Sequence, residues 1–265
     1  MAGQDSHNDS KAEPLEITSE EQIIVEEGKK LDVLDSNFPL FRRLREEAPG
    51  THKHSQTLMS MVDNVCAALG REGTTLKMAT MYHDIGKLWA PLVFSENQNA
   101  NENIHDDLEP WVSYHLITRH VSDSVAILVA NNFPLEVIHI VSQHHGNSVL
   151  KAIYEKAVKA KGRKRITIPI DDFRYKTEKP SCIESLILML CDNIEARSRA
   201  VYVEQKKNVD PAVFVLDTFN SIMADGQFDE VQIRLGHINI IQEALIADVS
   251  ANFHKRVEYD GDKTL

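Results

Sequence analysis

Apolar residues recur along most of this chain three or four positions apart, the spacing of one helix face. From Thr51 the set Leu58, Met61, Val62, Val65, Cys66 and Leu69 predicts an amphipathic helix that Gly70 closes. His54 falls in its first turns, on or beside the buried face. Upstream, Asn37 to Glu47 predicts a helix with Pro39 in its first turn, broken at Ala48-Pro-Gly-Thr51. Downstream, Thr74-Thr75 offers an N-cap to a helix carrying His83-Asp84 near its C-terminal end. Pro110 opens a further helix through Ser113, Leu116, Ile117, His120 and Val121, which the run Val125–Ala130 continues or follows. Pro134 opens another, with Val137, Ile138, Ile140 and Val141, and His144-His145-Gly146 stands at its end.

The clearest helix is Ser181 to Ala200, where Ile183, Leu186, Ile187, Leu190, Cys191 and Ile194 share a face with Asp192 at its margin. Helical patterns also cover Pro211–Met223 and His237–His254, separated by Ala224-Asp-Gly-Gln-Phe. No strand ladder and no internal repeat is legible, so the expected fold class is all-α. Residues 1–20 hold little that could build a core and are expected to be disordered. Ile17, Ile23, Ile24, Val25 and Leu31 suggest a short lead-in helix. The expected division is an acidic leader over 1–35, a domain over 36–260 and a tail over 261–265. Residues 91–109 form a polar, Asn-rich loop, long enough to suggest function. The basic run Lys159 to Arg165 is read as an exposed loop.

Composition narrows the function. The 265 residues carry a net charge of -11, which disfavours a nucleic-acid polymer as partner. A phosphate substrate would be repelled too, unless metal ions reverse the local field. No apolar run approaches the ~20 residues that span a bilayer, and the N-terminus lacks a signal-peptide pattern. A cytoplasmic protein is expected. Cys66, Cys182 and Cys191 lie in apolar patterns without a C-x-x-C pair and read as reduced core residues.

The candidate chemistry centres on His83-Asp84-Ile85-Gly86-Lys87. Imidazole nitrogen and carboxylate oxygen both suit a divalent transition metal. Asp84 has two oxygens and could bridge a pair of ions. Lys87, three residues on, would point the same way and offer a positive charge to a metal-held phosphate. Further ligand-grade residues stand on buried helical margins: His54, His120, His144, His145 and Asp192. An aspartate beside a core stripe is costly to bury unless paired or metal-bound.

One histidine, a His-Asp doublet and a distant aspartate resemble the ligand set of the HD phosphohydrolase superfamily. That resemblance implies an all-α HD-domain helical bundle with a dinuclear metal site. His54, His83, Asp84 and Asp192 would hold one ion; His120, His144 and His145 would hold a second, with Asp84 shared. Ala48-Pro-Gly-Thr-His-Lys-His-Ser55, Tyr82-His-Asp-Ile-Gly-Lys87, Glu96-Asn-Gln98, Asn103-Ile-His-Asp106, His144-His-Gly146, Asp172-Phe-Arg-Tyr175 and Asp192-Asn-Ile-Glu-Ala-Arg-Ser-Arg199 narrow it. They are similar to the HD domain of the PgpH-type seven-transmembrane HD proteins, phosphodiesterases of cyclic di-AMP. Gly146-Asn-Ser-Val departs from the Gly-Tyr-Pro signature of the cyclic di-GMP branch.

The resemblance implies two divalent ions, Fe or Mn, and hydrolysis of cyclic di-AMP to linear pApA, with Asp84 and Lys87 as the catalytic residues. The alternatives are another cyclic or linear nucleotide, or a nucleotide sensor with little turnover. The family's membrane helices are absent from the sequence, leaving a soluble relative or an excised domain. Lys53 stands where the family usually has histidine, and Asn147 where it usually has threonine. Glu96, Asn97, Gln98 and Asn103 would contact base or ribose, or else order their loop. Arg174 and Tyr175 would grip phosphate or stack adenine, and Arg199 would meet phosphate or form an ion pair. Glu195 is expected to orient a neighbouring group rather than bind metal. His52, His115, His139, His237 and His254 fit no set.

Overall fold

The computed structural model describes residues 23–26, 29–98, 103–162, 167–205 and 207–261. Among them the chain forms the all-helical bundle that the periodicity predicts. Four helices open on a proline: α1 (Pro39–Glu47), α2 (Pro49–Leu69), α4 (Pro110–Ala130) and α8 (Pro211–Ala224). Proline is tolerated there because the first N–H of a helix has no intrahelical acceptor. The others are α3 (Thr74–Tyr82), α5 (Leu135–Ser142), α6 (Lys151–Lys161), α7 (Ile183–Ser198) and α9 (Leu235–Gly261).

Helix α2 ends where Gly70 turns left-handed at φ 63°, and Arg71 N–H closes the turn on Cys66 O at 2.9 Å. Its buried face includes Leu58, Met61, Val62, Val65 and Cys66, packed against α3, α7 and α9. Helix α7 is more deeply placed than a single apolar stripe suggests. Every residue from Ser185 to Asp192 is buried, Leu188 and Met189 included. A helix apolar on nearly all sides belongs at the centre of a bundle. Each such leucine contributes roughly 1.5–3 kcal/mol relative to exposure. A smaller cluster of Tyr114, Ile153, Ala157 and Phe173 fastens α6 to α4, with Trp111 stacked on Phe173 at 4.4 Å.

Several details differ from the sequence expectations. The lead-in segment is an antiparallel hairpin, β1 (Ile23–Glu26) and β2 (Lys29–Asp32), not a helix. The β-branched run Ile23-Ile24-Val25 favours extended backbone. Ile17 and the rest of the leader through residue 22 lie outside the described residues, as do 163–165 of the basic run and 262–265 of the tail; Lys159 to Lys161 of that run close α6 rather than forming a loop. Gly73, not Thr74, takes the cap position of α3, and the Glu72 carboxylate accepts from Thr74 N–H at 2.7 Å. Helix α4 is unbroken through Ala130. The 91–109 loop is shaped by short 3-10 turns at Pro91–Val93, Ser95–Asn97 and Ile104–Asp106, with Val93 and Phe94 buried beneath it. Helix α7 passes directly into a π turn at Arg199–Glu204. Among the described residues no helix is long and apolar enough to cross a membrane.

Candidate metal centre

The His-Asp doublet lies where α3 stops. His83 closes the helix, Asp84 leaves helical geometry at φ -103° and ψ 13°, and a 3-10 turn follows from Ile85 to Trp89. Gly86 lets this turn lie flat on α4. A Cβ there would overlap the carbonyl oxygen of His120 and the amide nitrogen of Ser124. The Gly86 N–H donates to Ser124 Oγ at 2.9 Å, fixing the approach. This contact sets Asp84 beside His120 on α4. His144 and His145 arrive just past the end of α5, His54 from the first turns of α2, and Asp192 from the buried centre of α7.

Asp84 faces imidazoles with both oxygens. Its Oδ2 lies 3.1 Å from His83 Nε2 and 3.9 Å from His54 Nε2; its Oδ1 lies 3.2 Å from His120 Nε2 and 3.9 Å from His144 Nε2. The two Nε2 atoms of His120 and His144 are 3.3 Å apart. Asp192 spans the other side, with Oδ1 3.1 Å from His54 Nε2 and Oδ2 3.6 Å from His145 Nδ1. Seven ligand-grade side chains from five stretches of chain thus meet in one buried centre.

Three of the histidines are aimed by one local device. Nδ1 of His83, His120 and His144 lies 2.8, 2.6 and 2.6 Å from the carbonyl oxygen three residues earlier, at Thr80, Ile117 and Val141. A proton on Nδ1 bonded to a carbonyl leaves Nε2 as the free lone pair, turned inward. His54 is oriented instead by Glu195, whose Oε2 is 2.8 Å from its Nδ1.

Charge at the centre follows from burial and neighbours. Burial opposes ionisation of Asp84, but His83 and the Lys87 ammonium hold it well below the usual carboxylate range. Asp192 is likewise driven far down, its burial outweighed by His54 and His145. Burial pushes His145 down to about 3 although Asp192 opposes it. His144 is also held well below its ordinary value, by burial and by the neighbouring imidazoles His145, His83 and His120. His54 is the exception. Despite its burial, its bonds to Asp192 and Glu195 raise it to about 10. It therefore carries a proton between carboxylates, at a place where a cation could stand instead.

These residues fit a metal ion. Asp84 with His120, His144 and His145, and separately His54 with His83 and Asp84, bring their donor atoms within 4.8 Å of one another. Asp84 Oδ1 and His83 Nε2 are buried without a hydrogen-bond partner among the described residues. An unpaired buried carboxylate oxygen is costly unless something cationic completes it. Imidazole and carboxylate together suit a divalent transition metal.

Lys87 reaches Asp84 Oδ2 at 2.8 Å and Glu96 Oε1 at 2.5 Å. The ring of Phe94, which the sequence reading did not single out, lies under its ammonium at 4.7 Å and edge-on to His120 at 5.6 Å. Most of the remaining candidates are engaged by the scaffold. Asn97 Oδ1 accepts from Thr51 N–H at 3.1 Å and its Nδ2 donates to Thr51 Oγ1 at 2.8 Å, clasping the first turn of α2. Gln98 donates to Leu92 O at 2.8 Å, and Asn103 caps the turn at Ile104–Asp106. Arg174 holds Asp225 with two nitrogens at 2.9 and 3.1 Å, and also bonds Asp171 and Asn147 O. Tyr175 is buried with its ring 4.4 Å from that of His145. Arg199 stands at the start of the π turn, half-buried. Of the histidines that fitted no set, His139 bonds Ser181 and His52 packs edge-on against Phe41.

Helices delivering a His-Asp doublet and flanking histidines to one buried centre form a group that could hold a metal ion, and the chain belongs to the HD-domain family: the HD domain model matches residues 51–197. The chain is 34% identical over 229 residues to the cyclic-di-AMP phosphodiesterase PgpH of Bacillus subtilis (strain 168), covering 86% of this chain and 31% of that protein. It is 32% identical over 238 residues to the protein of the same name from Listeria monocytogenes serotype 1/2a (strain 10403S), covering 89% of this chain and 32% of that protein. The chain thus spans about a third of the length of these relatives. The crystal structure of the L. monocytogenes PgpH HD domain superposes with a TM-score of 0.74 at 31% identity, covering 82% of this chain and all of that one. The same domain in complex with cyclic-di-AMP gives 0.73 at 31% identity, with coverage of 82% and 99%.

Proposed function

We propose that this chain is a metal-dependent phosphodiesterase that hydrolyses cyclic di-AMP to linear pApA with two divalent ions, Fe or Mn. The observation that carries the reading is the position of Asp84, with Oδ2 toward His83 and His54 and Oδ1 toward His120 and His144. A carboxylate so placed can serve two ions at once. His54, His83 and Asp192 would complete one set and His120, His144 and His145 the other. When bound, the ions would supply charge to the phosphoryl oxygens and make hydroxide available near neutral pH.

The chain's own groups supply the remainder. The backbone carbonyls of Thr80, Ile117 and Val141 keep three imidazoles in the ligand tautomer. Lys87 has three N–H donors; two go to Asp84 and Glu96, and the third is left for a non-bridging phosphoryl oxygen. The Tyr175 ring lies 4.4 Å from that of His145, beside the centre. The choice of cyclic di-AMP is supported by likeness to relatives named for that activity and to a domain that binds it. Three cysteines without a disulfide support a cytoplasmic setting.

The test is incubation of Fe- or Mn-loaded protein with cyclic di-AMP, cyclic di-GMP and linear dinucleotides, with products resolved by chromatography. Conversion of cyclic di-AMP to pApA is expected. Cutting of cyclic di-GMP alone, or tight binding of cyclic di-AMP without product, overturns the proposal.

A further inference from the structure

Glu96 and Lys87 form an ion pair beside the metal centre, with Oε1 2.5 Å from Nζ. Their side chains are 9% and 12% exposed, so the pair is largely removed from water. A charge taken out of water is costly unless an opposite charge and hydrogen bonds match it. Lys87 has two such partners, Glu96 and Asp84, whose Oδ2 lies at 2.8 Å. They are not equivalent. Asp84 Oδ2 also faces His83 Nε2 at 3.1 Å and His54 Nε2 at 3.9 Å, so Lys87 shares it with the donors of the centre. Glu96 Oε1 is otherwise shared with the Thr51 hydroxyl, at 3.4 Å.

The second anchor is itself held. Glu96 sits in the 3-10 turn Ser95–Asn97, directly after the buried Phe94 and directly before Asn97. Asn97 clasps Thr51 through two bonds, and its Nδ2 also donates to Pro91 O at 3.3 Å. These contacts fix the backbone at Glu96 without involving Lys87. The consequence concerns direction. A lysine ammonium carries three N–H donors about a rotatable Cε–Nζ bond on a flexible four-carbon stem. One bond, to Asp84, leaves the other two donors free to swing around it. A second bond, to Glu96, stops that rotation, and the tetrahedral nitrogen then has one direction left for its third N–H.

Resting on the proposed function, we infer that Glu96 is a positioning residue for Lys87. It locks the ammonium so that the remaining N–H keeps one direction, toward a non-bridging oxygen of the phosphodiester. In this role its carboxylate serves Lys87 and Thr51, not the base or sugar of the nucleotide. Glu96 acts on the reaction only through the lysine.

The experiment is a double-mutant cycle on the Mn-loaded protein, using Glu96→Ala, Lys87→Met and the two together. Glu96→Ala is expected to lower kcat/KM for cyclic di-AMP by roughly 10- to 100-fold, with bound metal at the wild-type level by elemental analysis. Glu96→Gln, which keeps an oxygen acceptor in the same place, recovers most of that loss. The double variant is expected to be no slower than Lys87→Met alone, because the two residues act as one unit. Losses that multiply in the double variant overturn the proposal, as does a wild-type rate in Glu96→Ala or a fall in bound metal that parallels the rate. Should the wild-type chain leave cyclic di-AMP uncut, the proposed function fails by itself. The positioning role is then judged by the same cycle on the dissociation constant for inorganic phosphate, from calorimetry of the Mn-loaded protein. A rise of about tenfold in each single variant, with no further rise in the double, supports it. No rise in Glu96→Ala, or no binding of phosphate by the wild type, overturns it.

Discussion

Glu195 and His54 are 141 residues apart in sequence, yet Glu195 Oε2 lies 2.8 Å from His54 Nδ1. The bond fixes the ring so that Nε2 faces Asp192 and Asp84. Removing it leaves the ligand in place but unaimed. Glu195→Ala is expected to weaken metal binding by about 10- to 100-fold with the fold retained, while Glu195→Gln, which keeps an acceptor, loses less. Metal titration against a competing chelator checks this, and an unchanged affinity in Glu195→Ala refutes the orienting role.

Asp84 is the group on which both sets of imidazoles converge. Asp84→Ala should abolish phosphodiester turnover and lower the bound metal, read by elemental analysis of purified protein. His139→Ala is the control. Its Nε2 bonds Ser181 Oγ at 2.9 Å, so metal content should stay at the wild-type level. Full activity in Asp84→Ala would remove the basis for a shared ligand.

The close approach of Gly86 to α4 can be probed by a single methyl group. Gly86→Ala places a Cβ against backbone atoms of His120 and Ser124, which cannot swing aside as a side chain would. A loss of about 1–3 kcal/mol is expected, seen as a lower melting temperature by circular dichroism. Metal affinity should fall with it, because the displaced turn carries Asp84 away from His120. A variant as stable as wild type would show the turn to be more pliable than its geometry implies.

The Arg174–Asp225 pair gives a pH prediction. Burial raises the Asp225 carboxyl, but its bonds to Arg174 and Gln227 outweigh this and leave its pKa below the usual carboxylate range. A group lowered in the folded state stabilises the fold above its unfolded pKa and loses that contribution as pH falls through the folded value. The stability gap between wild type and Asp225→Asn, from urea unfolding, should therefore be steady from pH 7 to about pH 5 and close below about pH 4. A gap that widens on acidification would contradict the sign of the shift.

The helices and the clustered donors were legible because both leave local marks. Apolar spacing gives the buried face of α2, and a histidine or aspartate on the margin of such a face points at whatever the face covers. What the sequence hid depends on contacts across the fold. Nothing local shows that Thr51 occupies Asn97, or that Asp225 occupies Arg174, so both residues read as candidates for substrate. The hairpin at Ile23–Asp32 escaped because four-residue strands leave too short a pattern to separate from one helical turn. Phe94 went unremarked since an aromatic in a loop has no periodicity to reveal that Lys87 and His120 lie against it. The carbonyls of Thr80, Ile117 and Val141 are backbone atoms and leave no trace in composition, although each stands three residues before the histidine it aims.

Donors contributed from His54 to Asp192 make the centre a cross-link over most of the domain's length. An ion seated there ties the first turns of α2 to the middle of α7 and gathers three intervening segments between them. Its binding energy is shared with folding, because the unfolded chain cannot assemble the same set. The lifetime of the protein in a cell would then track the supply of the metal: a starved chain opens more often and is degraded sooner, so scarcity silences the site by removing the molecule as well as by emptying it.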